Sequence, residues 1–399
     1  MDIASFSEAS PGVLVPISGV DPRRGGWEHR AFLPDPLPEH TPPLDPKTYL
    51  AVANARAALA ALDSTARQLP HPQLLRRPTL QTEAQSTSAL EGTYAPLADV
   101  LTADEENPGT SNLREVLNYV KMADAAFDSL QDGRPLTLST LSALQRILVA
   151  GTASETPASG AIRNMQVVIG RREGAAVNDL PVTAARFVPP PPGDDLQARL
   201  QDLLRWMSED RSEEMDPVVS AAMAHYQFEA LHPFNDGNGR IGRLLIVIHL
   251  LMSGILAEPT LSVSPWFEVR RSDYYDRLLA VSTSGQWDGY ISFFAQGLRE
   301  SALKTRDQML ALVHVQGQLK ELVRASKLRA DTAQALVDYA VGHISFTVRT
   351  VERDLHISYG RANGLIGQLV QLGVLAPLDP EGTYRRRFYA PEVLRTLIG

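Results

Sequence analysis

The apolar-rich stretch Val218 to Leu231 (VVSAAMAHYQFEAL) has helical composition and no breaker, and it predicts a helix. Asp216-Pro217 ahead of it is a good helix start, since an acid can cap and a proline loses nothing in the first turn. His232 then falls near the C-terminal end of that helix, and the apolar Phe234 two residues on is placed to anchor the following loop in the core. Asn235-Asp236-Gly237-Asn238-Gly239 reads as a turn, because Gly and Asx residues accept positive φ and close backbone approach. A second apolar helix runs from Arg240 to Met252 and ends at Ser253-Gly254. Elsewhere, Leu50 to Gln68 is an alanine-rich helix, followed by a break at His71-Pro72 and then a further helix around residues 82–92. Asp194 to Ser208 is another helical stretch. Two β-prone runs, Gly160 to Gly170 and Ala184 to Pro192, flank a polar segment and predict a hairpin. The prolines 189–192 read as a rigid linker rather than a ligand for a proline-binding domain. Residues up to about Pro46 are rich in Pro, Gly and charge and are expected to wrap the surface irregularly.

At the C-terminus, Asp331 to Val341 and Thr347 to Leu355 are short amphipathic helices. After a turn at His356-Ile357-Ser358 comes a longer one, Tyr359 to Leu372, ended by Gly373. Val374 to Tyr389 reads as two strands around Asp379-Pro380-Glu381-Gly382. This order is the winged-helix pattern, with Arg385-Arg386-Arg387 on the wing.

The segment from His232 to Arg243 carries the chemistry. Gly237-Asn238-Gly239 lies at a helix N-terminus, where backbone N–H groups and the macrodipole favour an anion. Arg240 and Arg243 are three residues apart on one helix face and can both fork toward phosphate oxygens. Asp236 beside them suits a magnesium ion otherwise held by water and phosphate. His232 adds a base. A single histidine at a helix end, or a single glycine-rich turn, is a weak signal. Eight fixed positions at about 5% usage each would coincide by chance in a chain of this length with a probability on the order of 10⁻⁸.

That segment resembles the signature HxFx(D/E)GNGRxxR of the Fic family (filamentation induced by cAMP), matching at every defined position. The resemblance implies a mainly α fold: a Fic helical core with a β-hairpin flap that pairs with a target segment by main-chain hydrogen bonds. It implies transfer of AMP from ATP to a Ser, Thr or Tyr hydroxyl of a target protein. Carried over by position, His232 would be the general base and Asp236 the magnesium ligand. The Gly237-Asn238-Gly239 amides would form the anion hole, and Arg240 and Arg243 would contact the phosphates. The related Doc kinases carry a lysine where this chain has Gly237, which disfavours their chemistry here. Thr87 to Gly92 resembles the family's inhibitory motif (S/T)xxxE(G/N), making Glu91 an inhibitory glutamate that would reach Arg243. Tyr275 in Arg271 to Leu278 resembles the family's YYxxL tyrosine near the adenine. The asparagine often found seven residues later is Ser282 here, which leaves the adenine contacts open.

The expected domains are an N-terminal region with the inhibitory helix (1–100), a Fic catalytic core (101–312), a helical linker (313–330) and a winged helix (331–399). ATP is the substrate and Mg²⁺ the metal, with an unidentified protein as target. Self-modification and a homodimer remain open, as does DNA binding by the winged helix, because residues 331–399 balance seven Arg against seven acids. AMP removal by the same site and nucleotide-sensing transcriptional regulation are the alternative functions. The chain has 399 residues, a net charge of −8 and no cysteine, so disulfides and Cys-ligated zinc are excluded. The negative charge argues against non-specific binding to nucleic acid or an acidic membrane. An acidic, polar N-terminus and the short apolar stretch Leu244 to Ala257 point to a cytoplasmic protein rather than a secreted or membrane-spanning one.

Overall fold

The structure, a computed structural model, describes residues 1–23, 25–68, 73–104, 107–326, 328, 331–379 and 386–398, with side chains described for all of these except 73–75. The expected break at His71-Pro72, the turn residues Pro380 to Gly382 and Arg385 lie outside the described residues.

The chain is mainly helical. It opens with an antiparallel ribbon, β1 (Gly12–Asp21) and β2 (Gly25–Pro34). Helices α1 (Pro46–Gln68), α2 (Gln73–Leu90), α3 (Leu97–Thr102), α4 (Ser111–Gln131) and α5 (Leu138–Val149) follow. A short hairpin of β3 (Ile169–Arg171) and β4 (Ala185–Phe187) has the single-turn α6 (Pro181–Ala184) in its loop. Next come α7 (Asp194–Ser208), α8 (Pro217–Leu231), α9 (Asn238–Met252), α10 (Ser264–Glu268), α11 (Arg271–Ser284) and the 39-residue α12 (Trp287–Ala325). The chain closes with α13 (Asp331–Gly342), β5 (Phe346–Thr347), α14 (Val348–Asp354), α15 (Tyr359–Gln371), β6 (Ala376–Pro377), β7 (Arg387–Tyr389) and α16 (Pro391–Ile398). Among the described residues, no helix is long and apolar enough to cross a membrane.

The first 46 residues are more regular than their composition suggested. Gly12 pairs with Pro34 and Asp21 with Gly25, making a ladder ten residues long. Val13, Val15, Ile17, Trp27 and Phe32 are β-formers that outweigh the interspersed glycines. Pro16 is tolerated because each strand of a two-stranded ribbon has an open edge where a missing N–H costs no ladder bond. Ala31, Phe32 and Leu33 are buried.

Two compact units result. The first comprises Met1–Leu59, Lys121–Ala257 and Trp266–Glu300. Its centre is α8, in which every residue except Glu229 is buried. A helix that is apolar on all sides must be enclosed on all sides, and α7, α9, α11 and β2 do so. Asp216 caps it by accepting from the Val218 N–H at 2.8 Å.

The second unit comprises Ala60–Val120, Glu258–Pro265 and Ser301–Gly399. Here α2 packs on α3 and α13, α16 packs on α3, and α14 packs on α15. A three-stranded antiparallel sheet in the order β5-β7-β6 pairs Phe346 and Pro377 with Phe388. The buried Glu83 of α2 accepts hydrogen bonds from the Ser262 hydroxyl (3.0 Å), the Ser264 N–H (2.9 Å) and the Ser264 hydroxyl. These partners meet the desolvation cost of the carboxylate. At the end of α2, the Glu91, Gly92 and Thr93 N–H groups turn back onto Ser88 and Ala89 carbonyls, and Gly92 takes φ +95°. Glu91 itself lies one residue beyond the helix and is exposed.

Candidate active site

The turn between α8 and α9 gathers the signature residues in the first unit. Its shape is held from within by Asn238: the Phe234 N–H donates to the Asn238 Oδ1 at 2.8 Å, and the Asn238 Nδ2 donates to the Phe234 carbonyl at 2.8 Å. Phe234 is fully buried, an anchor contributing about 2–3 kcal/mol by burial alone. His232 caps α8 in the left-handed region, φ 48° and ψ 60°, which is rare for a residue with a Cβ. Its imidazole is half-buried beside the turn.

The strained His232 backbone is clamped by Arg163, a residue to which the sequence assigned no role. Arg163 is 2% exposed. Its backbone N–H donates to the Pro233 carbonyl (2.9 Å), its Nε to the His232 carbonyl (2.8 Å), and its guanidinium to the Leu231 (3.3 Å), Met165 (3.2 Å) and Pro190 (2.5 Å) carbonyls. Burial lowers its pKa to about 10, still far above neutrality, so the cation persists. The proline segment therefore does more than link: Pro189 and Pro190 are buried, and the Pro189 carbonyl accepts from the Gln166 Nε2 at 2.9 Å. An arginine beside apolar residues with no acid nearby in sequence was the available signal for this clamp.

Gly237 takes φ +86° at the N-cap of α9. A Cβ there would lie 2.6 Å from Leu148 Cδ2 of α5, so both backbone and packing call for glycine. The next residues begin α9, whose first N–H groups no carbonyl of the same helix can accept. Asp236 Oδ1 accepts from the Gly237 N–H at 2.7 Å and lies 3.3 Å from the Arg240 guanidinium, while its carbonyl accepts from the Gln145 Nε2 at 3.2 Å. The Asp236 side chain remains 39% exposed, leaving carboxylate surface open to solvent. Arg240 and Arg243 are 3% and 1% exposed. Guanidinium groups kept out of water this way are costly to place and well suited to an anion.

Behind α9, His225 of α8 donates from Nδ1 to the Gly242 carbonyl at 3.0 Å and accepts at Nε2 from the Tyr274 hydroxyl at 2.8 Å, the tautomer following from the carbonyl partner. Burial, aided by the Arg243 charge, lowers its pKa to about 3, so it stays neutral. Of the tyrosine pair, Tyr274 thus belongs to the core, and Tyr275 lies half-buried beside it on α11, with the Arg271 guanidinium 5.9 Å from its ring centre. Ser282 is buried and shares a 2.9 Å hydrogen bond with the Tyr226 hydroxyl. The hairpin of β3 and β4 is tied to α11 by an ion pair of Arg186 with Asp276.

Glu91 belongs to the second unit. His232, Asp236 to Arg240, Arg243 and Tyr275 all lie in the first.

Residues 135–250 match the Fic/DOC family, and residues 49–128 match the Fic/DOC family N-terminal region. Both segments are thus similar to the Fic/DOC family. A protein adenylyltransferase Fic of Drosophila ananassae is 36% identical over 123 residues, 31% of this chain and 23% of that protein. A protein adenylyltransferase of Caenorhabditis briggsae is 31% identical over 198 residues, 47% of this chain and 35% of that protein. The chain therefore spans only between 23% and 35% of the length of these curated relatives. A crystal structure of a Fic family protein from Desulfovibrio desulfuricans shares the fold, with a TM-score of 0.53 and 21% identity over 89% of this chain and 98% of that one.

Proposed function

We propose that this protein is an adenylyltransferase that moves AMP from ATP to a Ser, Thr or Tyr hydroxyl of a target protein. The observation that carries the reading is the loop between α8 and α9, where a half-buried imidazole, an open carboxylate, the first turn of a helix and two buried arginines meet. In the proposed reaction the target oxygen attacks the α-phosphorus, the bond to the bridging oxygen breaks, and pyrophosphate leaves. His232 takes the hydroxyl proton. The Gly237-Asn238-Gly239 backbone, Arg240 and Arg243 hold the phosphate oxygens and stabilise the charge that develops on them. A positively charged side chain in place of Gly237, as in the related kinases, would meet Leu148 and a left-handed backbone.

Asp236 suits magnesium by its partly exposed carboxylate. Among the described residues no cluster of three or more His, Asp or Glu could cage a metal, so the remaining ligands would be water and phosphate. Bound there, magnesium would neutralise phosphate charge. Tyr275 is assigned to the adenine end, and Glu91 to restraint of the reaction from the N-terminal segment. The C-terminal residues 331–399 are read as a winged helix, supported by the order α13-β5-α14-α15-β6-β7. A cytoplasmic setting completes the proposal.

Purified protein incubated with α-labelled ATP and cell lysate tests it. Label on protein is the expected result. Loss of label from an already modified substrate would instead indicate AMP removal, and neither outcome would leave a nucleotide sensor.

A further inference from the structure

The second unit contains a cavity of about 700 Å³ that the proposed reaction does not use. Its walls are α2 and the end of α3 on one side, and α13, α14, the start of α15 and β7 on the other. Pockets for small ligands run roughly 300–1,000 Å³. We propose that this cavity binds a phosphorylated small molecule of about mononucleotide size, a nucleotide or a sugar phosphate.

Charge is the first support. Among the described residues, Arg77, Arg349, Arg353, Arg386 and Arg387 line the cavity against Asp104 and Asp354, an excess of three positive charges. Some of these cations are committed to the fold. Arg387 donates to the Ala103 carbonyl at 2.8 Å and the Ser345 carbonyl at 3.3 Å, and Arg353 pairs with Asp354 at 2.6 Å. Arg349 is different: its own side chain is 76% exposed, and its ion pair with the half-buried Glu352 at 2.9 Å is open to solvent on the arginine side. Exposed pairs are worth little, so a phosphate can take over this guanidinium at small cost.

The second support is a buried acceptor. Gln81 of α2 is 4% exposed and lines the cavity; its Nε2 donates to the Val100 carbonyl at 3.4 Å, yet its Oε1 has no hydrogen-bond partner. A buried polar atom left in that state needs an explanation, and a hydroxyl or amino group of a ligand supplies one. The Tyr359 ring, 44% exposed, carries the Arg349 guanidinium 4.6 Å over it, so a base or sugar would stack on the guanidinium plane or on the other ring face.

A cavity of this volume admits one nucleotide. A nucleic-acid duplex, in contrast, is read by placing a whole recognition element into a groove about 12 Å wide. The concave shape therefore favours a small ligand over DNA.

Calorimetric titration of the full chain with uridine monophosphate, ribose 5-phosphate, inorganic phosphate and a duplex oligonucleotide tests the proposal. One-to-one binding of the nucleotide or the sugar phosphate is expected, and comparing these two arms tells which source fits. Arg349→Glu, a change at an exposed position, should weaken that binding at least about tenfold without lowering the melting temperature. Gln81→Leu should weaken it several-fold while leaving the protein as stable or more so, since it removes an unsatisfied oxygen. Should that variant fail to fold, Arg349→Glu decides alone. The proposal is overturned if neither organic phosphate binds, if Arg349→Glu binds them as tightly as the parent, or if only the duplex or only inorganic phosphate shows binding that depends on Arg349.

Discussion

His232 combines two unusual demands: a left-handed backbone that disfavours a Cβ, and, in the proposed reaction, a side chain that must meet the substrate hydroxyl beside the start of α9. The first is maintained at a cost of about 1–3 kcal/mol by surrounding bonds, above all those from Arg163. His232→Ala is expected to slow AMP transfer by about 10²–10⁴-fold while ATP affinity is retained, measured by labelled transfer and by equilibrium binding. Arg163 acts on the loop and not on the substrate. Arg163→Met should leave the Leu231, His232 and Pro190 carbonyls without their donor, destabilising the protein by about 3 kcal/mol. Calorimetry should show that loss together with a fall in transfer rate, since a general base displaced by even 1 Å works poorly. A normal melting temperature in this variant would refute the clamp.

At the scale of elements, α8 and α9 form one functional device. The first is capped by His232 and the second begins at the Gly237 turn, so in the proposed reaction their packing would set the distance from base to phosphate. The proposed brake sits on another element, α2, whose last turn leads into Glu91. Glu91→Gly removes the carboxylate where a glycine already follows, so α2 should keep its fold. Autoadenylylation is expected to rise by about 10–100-fold, the equivalent of a charge-assisted contact of about 1.5–3 kcal/mol. A labelling time course reads this directly, and an unchanged or slower rate would remove the inhibitory role.

Across the whole molecule, burial sets the response to acid. His225 and His249 are held at about 3 and about 4, mainly by desolvation, whereas an unfolded chain titrates its histidines near 6.5. Between about pH 6.5 and 4 the unfolded state therefore binds protons that the folded state refuses. Stability is full above that window and falls as pH drops through it, by up to about 1.4 kcal/mol per pH unit for each histidine. Thermal melts from pH 7.5 to 4.5 should show the decline, with a shallower slope in His249→Gln. Local sequence determined the helices α7, α8 and α9, the turn at Gly237 and the residue types of the site, because capping, apolar periodicity and turn chemistry all act over a few residues. It did not reveal the ribbon of β1 and β2, whose pairing joins residues up to 22 apart and whose glycines and prolines hid the strands. Nor did it reveal that Arg163 clamps a loop 69 residues away, that Tyr274 and not Tyr275 enters the core, or that Ser282 is bonded to Tyr226. Those assignments depend on which side chains meet once the helices have packed, and only the tertiary structure decides that, since it alone fixes which polar groups must find partners away from water.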